Sequence, residues 1–449
     1  MAKADAIEQA AALFDGGAFE TALGALVGYA TESQAAGNHA ALDAYLDDAI
    51  TPRLLALGFD VERHAGHFLI GQRIEDPDLT TVLIYGHGDV THGQKGAWAG
   101  DMDPFVLTDA GDRWFGRGTA DNKAQHLINL MALEAVLGAQ GSLGFNVKIL
   151  MEMAEEVGSP GLETFCATHS TTLQADVLIA SDGPRLQADT PTLFMGSRGA
   201  IDFDLSVHLR EGAHHSGNWG GLLADPAMIL AQALAVITDA RGQLLVEAWK
   251  PDSLTPAVRA ALDGLPIEMA DGPDVDLSWG AADLTPAERA YGWNSFAVLA
   301  MQSGVPDAPQ NAISGKASAR CQLRFVVGTD VDQILPSLRS HLAAQGLQSV
   351  TVTPGDGYFP ATRLDPDDPW VTRVATSITD TTGQAPHILP NLAGSLPNHC
   401  FADVLQLPTI WVPHSYRGCN QHAPNEHVLK STCRDALILM AGLWSDLAA

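Results

Sequence analysis

The chain predicts an α/β fold, a central and mostly parallel sheet flanked by helices, interrupted by a smaller α+β unit. Three observations carry this. Apolar strand patterns alternate with helical ones along the N-terminal part, strictly alternating strands take over after GSRG (196–199), and the helix–strand texture resumes from about residue 370. A length of 449 residues also exceeds what one compact core usually holds. We therefore expect a discontinuous domain of residues 1–195 with 361–449 and an inserted domain of residues 196–360.

Taken in order, residues around 39–57 read as helical and TVLIYGHGD (81–89) as a buried strand with its exit. A helix starts at Asp121, with Ala124, Leu127, Ile128, Met131 and Ala135 on one face and Gly138 as its stop. A strand from Phe145 to Met153 follows, then a helix opened by Ser159 and Pro160, then a strand ending at Asp182. AIDFDLSVHLR alternates like a strand with one polar face, and Asp225 with Pro226 caps the helix DPAMILAQALAVI. Residues 262–296, rich in Pro, Gly and Asp, read as an irregular excursion. ASARCQLRFVV and SVTVTPG are strands flanking a helix near 331–345, and 353–369 reads as the return linker. A helix, the strand LPTIWVP and a closing helix after Ser431 complete the chain.

Composition excludes several partners. The net charge is −28, with 25 Lys and Arg against 53 acids, which opposes nucleic acid and anionic lipid because neutralising phosphates needs clustered cations. No apolar run approaches the length of a membrane span. The acidic start MAKADAIEQAAALFDGG lacks the apolar block of a signal peptide, so a cytoplasmic location is expected. Five scattered cysteines without C-x-x-C spacing argue against a disulfide framework and against a thiolate zinc site.

The chemistry gathers at strand exits. His87 and Asp89 follow VLIY, Glu155 and Glu156 follow ILMEMA, and Asp182 follows VLIAS. In an open α/β sheet the carboxyl ends of the strands share one crevice. Two adjacent acids there repel each other and need a cation or a shared proton. With Asp121 at a helix start, the set suits zinc, manganese or cobalt, and zinc with His and carboxylate ligands is the commonest such arrangement. Each residue also has an ordinary reading: Asp121 as an N-cap, Asp182 and Asp89 as turn acids, His87 as a satisfied strand-end histidine, the doublet as a solvated loop pair. All of these would have to hold at once for the metal reading to fail.

YGHGDV, WAGDMDPF, WFGRGTADNKA, MEMAEEVGSPG, SDGP and QHAPNEH, in that order, resemble the successive motifs of the di-zinc metallopeptidase family that includes carnosine dipeptidases, glutamate carboxypeptidase, aminoacylase and succinyl-diaminopimelate desuccinylase. The resemblance implies two zinc ions, manganese or cobalt being the alternatives. It puts His87 and Asp182 on one ion, Glu156 and His422 on the other, and Asp121 between them. Asp89 would orient His87, and Glu155 would be the general base rather than a ligand. Asn122 and Ala124 stand where relatives often have an acid and a glycine, beside a peptide bond that is cis in relatives.

HSGNWGG resembles the dipeptidase branch, which implies that His215 reaches into a partner subunit's active site to stabilise the oxyanion, and hence a homodimer through the lid domain. Arg324 in QLRFVV resembles an arginine that binds a substrate carboxylate. AGSLPN resembles a loop whose Gly394 and Ser395 positions offer donors to that carboxylate, and Asn311 matches an asparagine near the substrate. Without the resemblance, His215 reads as a surface-loop histidine, Arg324 as an outward strand residue and 394–395 as turn chemistry. The implied activity is hydrolysis of an amide bond in a small carboxylate-bearing substrate, a dipeptide first. Deacylation of an N-acyl amino acid is the alternative, and a non-catalytic metal-dependent binding protein the rival from another class.

Overall fold

The computed structural model describes residues 2–267 and 273–448. Its main sheet has eight strands, in the order Asp60–His64, Phe68–Arg73, Asn146–Glu152, Thr81–His87, Val177–Ala180, Thr409–Trp411, Thr192–Phe194 and His387–Leu389. The middle is parallel: Thr81–His87 pairs in parallel with Asn146–Glu152 and Val177–Ala180, and the latter with Thr409–Trp411. The first two strands run antiparallel at one edge. The class is α/β.

The central strands are apolar almost throughout because both faces of the sheet are covered. Val82 and Ile84 join Val147, Ile149, Val177 and Ile179 in one core, closed by helices Ala2–Asp15, Lys123–Gln140, Pro369–Thr382 and Lys430–Leu447. Leu83 and Tyr85 point the other way, to Leu150, Leu178, Phe401 and Trp411.

A second sheet is antiparallel, in the order Ser295–Ser303, Ala312–Phe325, Gly199–His215, Val350–Phe359. Phe203, Leu205 and Val207 with Ala319, Cys321 and Leu323 pack under helices Pro226–Ile237 and Val331–Ala344. The intervening Asp202, Asp204, Arg320 and Gln322 bond to one another on the opposite face.

Several elements differ from the sequence expectation, each for a local reason. The helix expected from Asp121 begins at Lys123 with Asn122 at its N-cap, and it is buried on nearly every side. Gly138 does not stop it: the glycine lets Gln9 of the first helix approach, and Gly141, at φ 75°, takes the left-handed cap. The 39–57 region is broken by a π-helical turn, Tyr45–Ile50, between two short α-helices. The helix expected at Ser159 starts at Leu162, behind the left-handed Gly161.

The first part of the return linker, residues 353–359, is strand: Val350–Phe359 runs through Pro354, Gly355 and Gly357, tolerated because it is an edge strand with a register shift opposite Ile201–Phe203. Within 262–296, helix Pro286–Tyr291 carries a Thr285–Glu288 capping box and a strand begins at Ser295, while residues 268–272 of that stretch lie outside the described residues.

Among the described residues no single helix is long and apolar enough to cross a membrane. The first two helices would suffice together, but they bend by 60°, and the first packs against the helices Lys123–Gln140 and Lys430–Leu447.

Candidate metal centre

Three parallel strands end side by side and deliver His87, the loop carrying Glu155 and Glu156, and Asp182 to one crevice. His87 is fully buried. Its Nε2 lies 3.1 Å from Asp121 Oδ1 and 3.5 Å from Asp182 Oδ2. On the other side Nδ1 lies 3.1 Å from the Asp89 carbonyl and 3.3 Å from Asp89 Oδ1.

Asp89 also ties down the acid doublet, because its two carboxylate oxygens accept the backbone N–H groups of Glu155 and Glu156, each at 3.1 Å. One buried acid thereby fixes both the imidazole and the neighbouring strand exit.

Asp121 precedes the helix rather than capping it, and its peptide bond to Asn122 is cis. Its second oxygen lies 3.1 Å from His422 Nε2, which is 3.0 Å from Glu156 Oε2. Two groups follow, His87–Asp121–Asp182 and Asp121–Glu156–His422, each with its ligand atoms within 4.8 Å of one another. Imidazole nitrogens and carboxylate oxygens in two triads that share one acid fit a pair of divalent cations.

The electrostatics support the fit. Burial raises Glu156 to about 7, the Asp121 charge adding to it against the pull of His422. Burial likewise drives Glu155 well above the usual carboxylate range, opposed by His87 and reinforced by Asp182, Asp121 and Glu156. Asp121 stays low despite burial, because His422 and His87 donate to it. Hydrogen bonds to Asp121 and Glu156 lift His422 to about 11. Protons thus hold together a crowd of acids whose donor set suits cations.

Beyond the doublet, Val157 and Gly158 line a cavity of about 680 Å³, with Arg324, Ser395 and His399 among its other walls. Arg324 Nη1 donates to Ser395 Oγ at 3.2 Å. The Gly394 carbonyl accepts the backbone N–H of Arg198.

His215 and Asn311 are elsewhere in the chain. They are exposed and adjacent at the end of the second sheet, where His215 Nδ1 accepts from the Gly217 N–H and the Asn311 carbonyl accepts from the Ser216 N–H. The ladder pairs Ala200 with Arg324 and His215 with Ala312, so twelve residue steps of about 3.3 Å put them ~40 Å along the strand from Arg324.

Two residues were passed over in the sequence. Glu152, the last residue of its strand and in register with His87, accepts from Tyr85 Oη at 2.7 Å and Ser159 Oγ at 2.9 Å. Burial raises it to about 7. The adjoining doublet masked it as a third acid. Arg198, in the GSRG read only as a boundary, donates from Nε to the Ala393 carbonyl and so holds the 393–395 loop. Burial and the neighbouring Arg324 charge bring it down to about 10.

Comparison with known proteins agrees with this architecture. A cysteinylglycine-S-conjugate dipeptidase of Corynebacterium striatum is 27% identical over 365 residues, covering 78% of this chain and 77% of that protein. Human carnosine dipeptidase 1 has the same fold, with a TM-score of 0.74 at 20% identity over 98% of this chain and 99% of that one. An M20 family metallo-carboxypeptidase of Sulfolobus solfataricus, Sso-CP2, matches with a TM-score of 0.79 at 22% identity over 96% and 99%. The sequence model of peptidase family M20/M25/M40 matches residues 83–446, a stretch that holds every member of both triads, and the chain belongs to that family.

Proposed function

We propose that the chain hydrolyses the amide bond of a small substrate with a free carboxylate, a dipeptide, using two zinc ions. The observation that carries this is the pair of ligand triads sharing Asp121, with Glu155 beside them. His87 and Asp182 would hold one ion, Glu156 and His422 the other, and Asp121 both. Bound there, the ions supply Lewis acidity toward the scissile carbonyl and toward water.

The chain's own residues do the rest. Asp89 accepts from His87 Nδ1 and leaves Nε2 aimed at the Asp121–Asp182 side. Glu155 takes the proton of the attacking water on its carboxylate and returns it to the leaving amine nitrogen, so amide and water become carboxylate and amine. Arg324, Ser395 and the Gly394 loop bind the substrate carboxylate, in a region where Arg198 and Arg324 bring two guanidinium groups together. That dipeptides rather than acyl amino acids are the substrates is supported by the dipeptidase names of the relatives.

Residues 1–195 with 361–449 form the catalytic domain in this reading, and 196–360 the lid. The lid makes a homodimer, through which His215, with Asn311 beside it, serves the partner's site. Supporting this, the lid's edge strand exposes Val298, Leu299 and Met301, an apolar row open to pairing. Five buried free cysteines fit a reducing compartment, the cytoplasm.

Metal analysis with a hydrolysis screen tests the reading. Dipeptides should turn over faster than N-acetyl or N-succinyl amino acids, chelation should abolish turnover, and zinc or manganese should restore it. Glu155→Gln should lower kcat by about 10²–10⁴-fold with metal content unchanged. Faster cleavage of acyl amino acids would favour the deacylase, metal uptake without any turnover the binding protein, and full activity of Glu155→Gln would remove the assigned base.

A further inference from the structure

His87, Asp182 and the doublet are placed by the ends of sheet strands, whereas Asp121 and His422 come from loops. His422 is especially exposed, with 56% of its side chain accessible. It sits in a turn where Asn420, His422 and Asn425 all have positive φ. Something must hold these two loops at ligand distance.

We infer that Glu426 is the positioning residue that sets the spacing of Asp121 and His422. Its carboxylate is fully buried, and both oxygens are used twice. Oε2 accepts from Arg117 Nη1 at 2.7 Å and from the Gly118 N–H at 3.0 Å. Oε1 accepts from the Ala120 N–H at 2.8 Å and from the Asp121 N–H at 3.1 Å. The Glu426 carbonyl takes the Gly116 N–H at 3.0 Å. The loop before Asp121 is therefore wrapped around one side chain, and that side chain lies four residues beyond His422.

The other end of the His422 turn is fixed as well, by Gln94 Nε2 on the His422 carbonyl at 3.0 Å and the Ala99 N–H on Asn425 Oδ1 at 2.7 Å. Arg117, which neutralises Glu426, donates to the His92 carbonyl at 3.0 Å and so joins the same belt. A charged acceptor with four donors is among the stronger buried contacts and has one geometry. Glu426 thus gives the two loop ligands the rigidity that the sheet gives the strand ligands. It touches neither ligand side chain and is no catalytic residue.

The inference rests on the two-metal reading and predicts an asymmetry. Glu426→Gln keeps the shape but replaces one acceptor oxygen with a donor, so one of the two donor pairs is repelled. Titration of the metal-free full chain with Zn²⁺, and with Co²⁺ as an absorbing probe, should show two ions in the wild type. In Glu426→Gln the ion held by His87 and Asp182, for which only the shared Asp121 is loosened, should weaken by less than the ion that also depends on His422. The ion that depends on His422 should bind at least about tenfold more weakly, with a changed Co²⁺ spectrum.

Equal uptake of both ions accompanied only by a lower melting temperature overturns the inference and leaves Glu426 a structural prop. If Glu426→Gln does not fold, Arg117→Lys loosens the same contact from the other side and should give the same asymmetry, uniform uptake again overturning it. A wild-type chain that takes up fewer than two ions overturns the two-metal reading, and this inference with it.

Discussion

At the metal centre the protonation pattern has a measurable consequence. His422 is raised to about 11 by Asp121 and Glu156, and burial raises Glu156 to about 7, so the metal-free site carries protons at neutral pH. Cations need the unprotonated nitrogen and carboxylate, so uptake must expel those protons, and affinity must rise with pH. Calorimetric titration in two buffers of different ionisation enthalpy should show net proton release near pH 7, with weaker binding at about pH 6 than at about pH 8. Release of no protons would mean that the ions bind elsewhere. His87, Asp89, Asp182 and the doublet were legible in the sequence because each follows a recognisable strand. His422 was not: it lies in an exposed turn, 301 residues from Asp121, and only its motif resemblance pointed to it.

At the scale of elements, the two passages between the main sheet and the second sheet run side by side. The outgoing passage at Met195–Ser197 and the returning passage at Thr362–Leu364 bond to each other through Thr362 N–H to the Ser197 carbonyl and Leu364 N–H to the Met195 carbonyl. Gly196 permits the approach, since a Cβ there would lie 2.2 Å from the Thr362 carbonyl oxygen. Gly196→Ala should therefore cost about 1–3 kcal/mol, read as a lower urea midpoint, because backbone rather than a flexible side chain must yield. An unchanged midpoint would show that the passages separate freely. Gly355 and Gly357 carried the same letter with another meaning: they sit in a strand, and their turn-like composition led the linker expectation astray. Gly138 likewise marks a close helix contact rather than a helix end.

For the whole molecule, the decisive separation is that between Arg324 and His215, ~40 Å apart on one ladder. Both can serve one reaction only if His215 serves a second copy. Charged substitutions on the exposed edge strand, such as Val298→Glu with Met301→Glu, should yield folded monomers that keep their metal and lose most turnover. Light scattering and steady-state kinetics read both properties. Folded monomers with full turnover would leave His215 without a catalytic role.

The sequence by itself determined the α/β class, the strand exits and the acids on them, because apolar periodicity and the residues that interrupt it are local properties of the chain. The doublet after ILMEMA, the alternation of AIDFDLSV and the Asp225–Pro226 cap were readable for that reason. The tertiary structure alone decided that Asp89 holds the doublet as well as His87, that Glu152 lies buried beneath them, and that Glu426 accepts the N–H groups of Ala120 and Asp121. These contacts join residues 66 to 306 positions apart, where no periodicity reports distance and only the folded backbone sets which donors an acid meets.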